Sequence, residues 1–180
     1  YMGPRNSREM TRAKSLSNFE SDQFYLEAAP RGVDALYAWT VPGGTGKNIN
    51  VLDLETGWFA DHIEFKPVFW DNGHNQFRDH GTAVWGEIAA KRDSFGTTGI
   101  AYDVEFAIAG HGWTSGNWSE YPTTVASVLS EASTHLKAGD VLVIEQHAQA
   151  GQNGDYSPIE YFEPIFDALK AMTDAGVVCV

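Results

Sequence analysis

Four short apolar runs, each too short for a helix, alternate along the chain with longer segments of helical period, and that order admits few folds. The runs occupy 49–54, 104–109, 141–144 and 177–180, with helical stretches at 80–91, 123–137 and 159–175 between them. In the second stretch Val125, Val128, Leu129, Ala132 and Leu136 recur at three- and four-residue steps, which lays one apolar stripe along a helix. Strands that are apolar throughout are buried on both faces, and parallel neighbours need a crossover of a dozen or more residues, usually a helix. The expected fold is therefore α/β: a three-layer α/β/α sandwich with a mostly parallel sheet. The fourth run breaks off at residue 180, so the sheet is expected to be incomplete at its C-terminal end.

Residues 1–22 are polar, carry Arg5, Arg8, Arg12 and Lys14, and show no period. They read as an N-terminal arm or prosegment remnant, with the domain over 23–180. A start at Tyr1 fits a processed or cut product. A short helix is expected over 32–39, irregular loops over 58–78, and a Gly-rich loop over 148–158. The turn at 42–47 faintly resembles a phosphate-binding loop, but Val41 stands where that motif needs Gly and Asn48 where it needs Ser or Thr.

Composition narrows the function. Twelve Lys and Arg against 24 Asp and Glu give a net charge of −12, which argues against nucleic acid as partner and suits basic substrates. Six Trp, seven Tyr and ten Phe supply a core. Cys179 is the single cysteine, so no disulfide forms within the chain, and no apolar run is long enough to span a membrane.

Three motifs then stand in order. Val51-Leu52-Asp53-Leu54-Glu55-Thr56-Gly57 closes the first strand, Asp61-His62-Ile63-Glu64-Phe65 follows, and Asp79-His80-Gly81-Thr82 opens the first long helix. A carboxylate at the C-terminal end of a strand can meet a His at the start of a neighbouring helix, on the sheet edge where ligands gather. These motifs resemble those of the subtilisin-like serine peptidases: a Val-Ile-Asp-Thr-Gly strand end, a Ser-His-Pro-Asp-Leu segment and a His-Gly-Thr-His-Val-Ala-Gly helix. The likeness continues through Gly99-Ile100-Ala101, Gly139–Ile144 and Ala175–Val180, and covers roughly residues 35–180.

The resemblance implies a serine endopeptidase in which His80 is general base and then acid, oriented by a carboxylate. Glu55 stands where the family has Asp. Asp53, two residues earlier on the same side of the strand, is the competing carboxylate, about 6.6 Å deeper in the sheet. Ile144, Glu145 and Gln146 align with the segment that lines the substrate channel, where Glu145 would favour a Lys or Arg of the substrate or turn inward to a structural partner. Glu64 and Asp93 align with positions that help hold a structural calcium ion in many relatives, and read equally as surface acids. No other cofactor is implied. The nucleophilic Ser and the oxyanion Asn are expected beyond residue 180, in a following segment or a second chain. The substrate is a peptide or protein, and the resemblance leans towards a secreted or periplasmic location. A catalytically inactive scaffold on the same fold is the alternative. His62 is expected to pack structurally, and His74, His111 and His135 to be solvated or in loops.

Overall fold

The structure, a computed structural model, describes residues 17–76, 79–149 and 155–180. Its centre is a sheet of four parallel strands: β1 (Asn50–Glu55), β2 (Glu105–Gly110), β3 (Val141–Val143) and β6 (Val178–Cys179), in the order β2-β1-β3-β6. Four helices accompany it: a single turn α1 (Ala35–Ala38), then α2 (Asp79–Ala89), α3 (Tyr121–Ser133) and α4 (Glu163–Asp174). The three longer helices are the crossovers between successive parallel strands, which the alternation in the sequence requires.

Alternation along β1 divides its side chains between two cores. Leu52 and Leu54, with Ala107 and Ala109 of β2, pack against Val125, Leu129 and Ile165 on the α3 and α4 side. Val51, with Phe106 and Ile108, packs against Trp58, Phe65 and Trp85 on the α2 side. Trp85 lies between the rings of Phe65 and Phe106, at centroid distances of 4.1 and 4.9 Å. Asp53 and Glu55 share the parity of Val51 and so face α2. The sheet thus carries helices on both faces, as expected.

Several boundaries differ from the sequence reading. The helix expected over 32–39 is one turn, because Asp34 adopts a left-handed conformation (φ 62°) immediately before it. The stretch expected as helix over 159–175 starts as a 3-10 turn, Ile159–Tyr161, and the α-helix begins only at Glu163 with Pro164 in its first turn. Part of the Gly-rich loop forms a small antiparallel ladder, β4 (His147–Gln149) with β5 (Tyr156–Pro158). Of the expected arm, residues 1–16 lie outside the described residues. Residues 17–22 are docked: Phe19 N–H donates to Gly96 O (2.7 Å), Gly96 N–H to Ser17 O (3.0 Å), and Thr98 Oγ1 to Glu20 (2.7 Å).

Candidate active site

Glu55 ends β1 and His80 sits in the first turn of α2. His80 Nδ1 lies 2.6 Å from Glu55 Oε1, and Glu55 Oε2 accepts the backbone N–H of Thr56 at 2.8 Å. The carboxylate is buried at 4% exposure, while the His80 side chain is 59% exposed, so one ring nitrogen is held in the interior and the other faces solvent. The approach of helix to strand depends on Gly81. A Cβ there would stand 2.6 Å from Gly57 O and 2.7 Å from Trp58 Nε1, closer than packed atoms come. Thr82 Oγ1 accepts the N–H of Phe59 at 2.9 Å, and Asn75 brackets Trp58 through its N–H and C=O, both at 2.9 Å. The helix start is thereby tied to the loop that follows β1.

Asp53 does not reach His80. It is fully buried one pleat below Glu55, and its Oδ2 accepts the indole N–H of Trp58 at 2.8 Å, while Oδ1 has no partner. Burial pushes its pKa up to about 8, opposed by the Trp58 hydrogen bond and reinforced by the charges of Glu55 and Glu145. Asp53 therefore stays protonated at neutral pH.

On the far side of the ring, His80 Nε2 is 3.7 Å from the carboxylate of Glu145, itself 52% exposed. Glu145 and Gln146 border the same cleft as His80, of about 610 Å³. Ile144 does not join them: its N–H donates to Val180 O at 2.9 Å, and its side chain lines a separate groove beside α4. Gln146 is a strut, with Tyr121 Oη donating to its Oε1 (3.2 Å) and its Nε2 donating to Leu54 O (3.3 Å). The segment after β2 also lines this cleft, where Trp113, Trp118 and Tyr121 cluster. Their centroids are 4.4 Å apart for the two indoles and 5.6 Å from each indole to Tyr121. The sequence reading passed over this wall, although three aromatic residues within nine positions were its signal. His111, expected to be solvated or in a loop, follows β2 in a loop but is buried at 8% exposure. Burial, joined by the charge of His74, lowers its pKa. Its Nδ1 accepts the N–H of Trp113 at 3.1 Å. His62, by contrast, lies exposed, tilted against Phe65 at 5.1 Å.

Glu64 and Asp93 come together away from this cleft. Glu64 is buried at 6% exposure and its Oε2 has no partner. Its pKa is raised by burial and then by Asp93, against the pull of Lys91 and the Thr97 amide. A Cβ on Gly96 would fall 1.8 Å from Glu64 Oε1, so this left-handed glycine (φ 69°) is what lets the carboxylate in. Among the described residues no three His, Cys, Asp or Glu gather as a metal site. Glu64 and Asp93 offer carboxylate oxygens alone, the ligand type that hard cations take and not the nitrogen and sulfur set typical of zinc.

Three solved structures share this fold. MycP1 with its N-terminal propeptide removed superposes with a TM-score of 0.59 at 18% identity, over 82% of this chain and 46% of its own. A protease from Pseudoalteromonas arctica gives 0.63 at 18% identity, over 91% and 57%. A cold-adapted subtilisin-like serine proteinase gives 0.52 at 17% identity, over 75% and 46%. The fold is subtilisin-like. This chain spans about half the length of the subtilisin-like structures it matches. No family model and no curated protein matches the sequence. Within the subtilisin-like fold the paired Glu55 and His80 lie at the C-terminal edge of the parallel sheet, where such folds gather ligands. Among the described residues no helix is long and apolar enough to cross a membrane.

Proposed function

We propose that the chain carries the acid and the base of a subtilisin-like serine endopeptidase. The observation that carries this is the 2.6 Å contact between His80 Nδ1 and buried Glu55, with Nε2 open to the cleft. Glu55 accepts a hydrogen bond from Nδ1–H, which leaves Nε2 as the base, and its charge stabilises the imidazolium that forms. As a serine Oγ attacks the scissile carbonyl carbon, its proton passes to His80 Nε2, and His80 then delivers it to the departing amine. The serine and the oxyanion Asn come from sequence following residue 180 or from a second chain. The peptide lies extended beside Glu145 and Gln146. Residues 23–180 are the N-terminal part of the catalytic domain, preceded by an N-terminal arm or prosegment remnant, and the protein works outside the cytoplasm. Calcium belongs to the same proposal: Glu64, with its unpartnered oxygen, and Asp93 hold an ion that neutralises both carboxylates.

A second reading rests on Glu145, whose carboxylate stands 3.7 Å from the nitrogen that must receive the serine proton. That position favours a binding module that has lost the chemistry. A fluorophosphonate probe separates the two. Labelling that disappears in His80→Ala, and slows by about 10³–10⁴-fold in Glu55→Gln, is the expected result for the peptidase. An absence of label on a preparation that also contains the sequence following residue 180 would overturn the peptidase and leave the module.

A further inference from the structure

We propose that the cleft beside His80 is a cation-selecting pocket: Trp113, Trp118 and Tyr121 line it together with Glu145 and take a lysine or arginine side chain of the bound peptide. The reading of the ligand as a peptide rests on the proposed function. The pocket itself rests on what lines the cleft.

Three observations point to a cation. First, the carboxylates of Glu55, Asp79 and Glu145 all border the cleft, and among the described residues no lysine or arginine does. Glu55 is engaged by His80 and the Thr56 amide at hydrogen-bond distance, whereas Glu145, half exposed, stands 3.7 Å from His80 Nε2 and leaves room for a second cation at its carboxylate. Second, Trp113, Trp118 and Tyr121 line the same cleft. Trp118 is 47% exposed, the most exposed of the six tryptophans. A ring face carries partial negative charge and attracts ammonium or guanidinium groups, arginine most often because its planar head also stacks. Third, the wall is built in advance. Trp113 Nε1 donates to Asn117 O (2.9 Å), and Glu120 holds Ser115 Oγ (2.8 Å) and Asn117 Nδ2 (2.9 Å), which pins the loop onto the first turn of α3. Tyr121 ties that turn to Gln146, so wall and floor are joined through one hydrogen bond. Burial pushes the Tyr121 hydroxyl up to about 12, which keeps it a donor to Gln146 throughout the working range. His111 also lines the cleft, and burial lowers its pKa, which disfavours a positive charge there.

The geometry separates the roles of the parts. Glu145 supplies the charge; Trp118 supplies the face and part of the desolvation; Tyr121 and Gln146 position them. An uncharged side chain of the same shape fills the pocket but leaves the carboxylate without its partner.

The test is a calorimetric titration of the protein with acetyl-Ala-Ala-Arg-amide and with the citrulline analogue, which keeps the shape of arginine and removes the charge. Binding of the arginine peptide about tenfold or more tighter is expected, with the gap closing as salt rises. Glu145→Gln should erase most of that preference, and Trp118→Leu should weaken arginine binding several-fold while circular dichroism stays unchanged. Equal affinity for the two peptides, or an unchanged preference in both variants, would overturn the pocket. Tighter binding of an all-proline peptide would do the same and mark the wall as a polyproline groove. The readout needs no turnover. Arginine selection without fluorophosphonate labelling removes only the peptidase, and labelling without selection removes only the pocket.

Discussion

Replacing Asp53 with Asn should flatten the pH dependence of stability, and the size of the effect follows from where the carboxyl sits. In the folded protein Asp53 is fully buried, with one oxygen on the Trp58 indole and the other unpartnered, and its pKa is raised to about 8. In the unfolded chain it titrates near 4. Between those values the folded state holds a proton that the unfolded state has released. Stability from this group is complete below about pH 4 and is lost as pH rises through about 8. Each pH unit inside the window is worth about 1.4 kcal/mol, so wild type should lose about 3 kcal/mol relative to Asp53→Asn between pH 5 and pH 7. The variant keeps an acceptor for Trp58, and any cost of its unpaired amide N–H is independent of pH and leaves the slope alone. Urea titrations at pH 5, 6 and 7 measure this directly. With a slope of about 2 kcal/mol/M, the gap between the two midpoints should change by about 1.5 M. Midpoints that run parallel would refute the argument and mean that Asp53 is ionised in the fold.

Gly81→Ala should lower stability by about 1–3 kcal/mol, because the new methyl meets the Gly57 carbonyl and the Trp58 ring, neither of which can swing aside. Scanning calorimetry should show a fall of about 3–10 °C, and a Tm within a degree of wild type would show that α2 has room to spare. Adding calcium at about 100 times its Kd should stabilise the protein by about 2.7 kcal/mol, an increment that Glu64→Gln should largely remove. An identical melting curve in calcium and in chelator would sink that assignment.

The layered fold was legible because the strands are apolar throughout and the helices carry an apolar stripe, signals that survive without any tertiary information. The Glu55 and His80 pairing was legible in the order of the motifs, a carboxylate at a strand end ahead of a histidine at a helix start; the close approach that Gly81 permits is visible only in the structure. The β4 and β5 ladder was not legible. Its three-residue strands, His147–Gln149 and Tyr156–Pro158, are polar and alternate with nothing, so pairing is decided by the surroundings. The Asp53 and Trp58 bond had a signal that was read too narrowly. A carboxylate inside an apolar strand requires a donor, and the indole five residues on was available. Glu145 beside His80 was visible only as a neighbour of the channel, since its distance to the ring depends on how β3 registers against β1.

The two partners of His80 have different histories in the chain. Glu55 lies 25 residues before the histidine and meets it through one strand and the next helix. Glu145 arrives only when β3 pairs with β1, an alignment pinned by Asp140, which accepts from the backbone and side chain of Asn50, 90 residues away. The Glu55–His80 contact and the other residues that border its cleft thus come from separate parts of the chain. Loops after β2 and β3 can lengthen or change charge without touching that contact, so the lining of the cleft and the contact at its edge are free to vary independently.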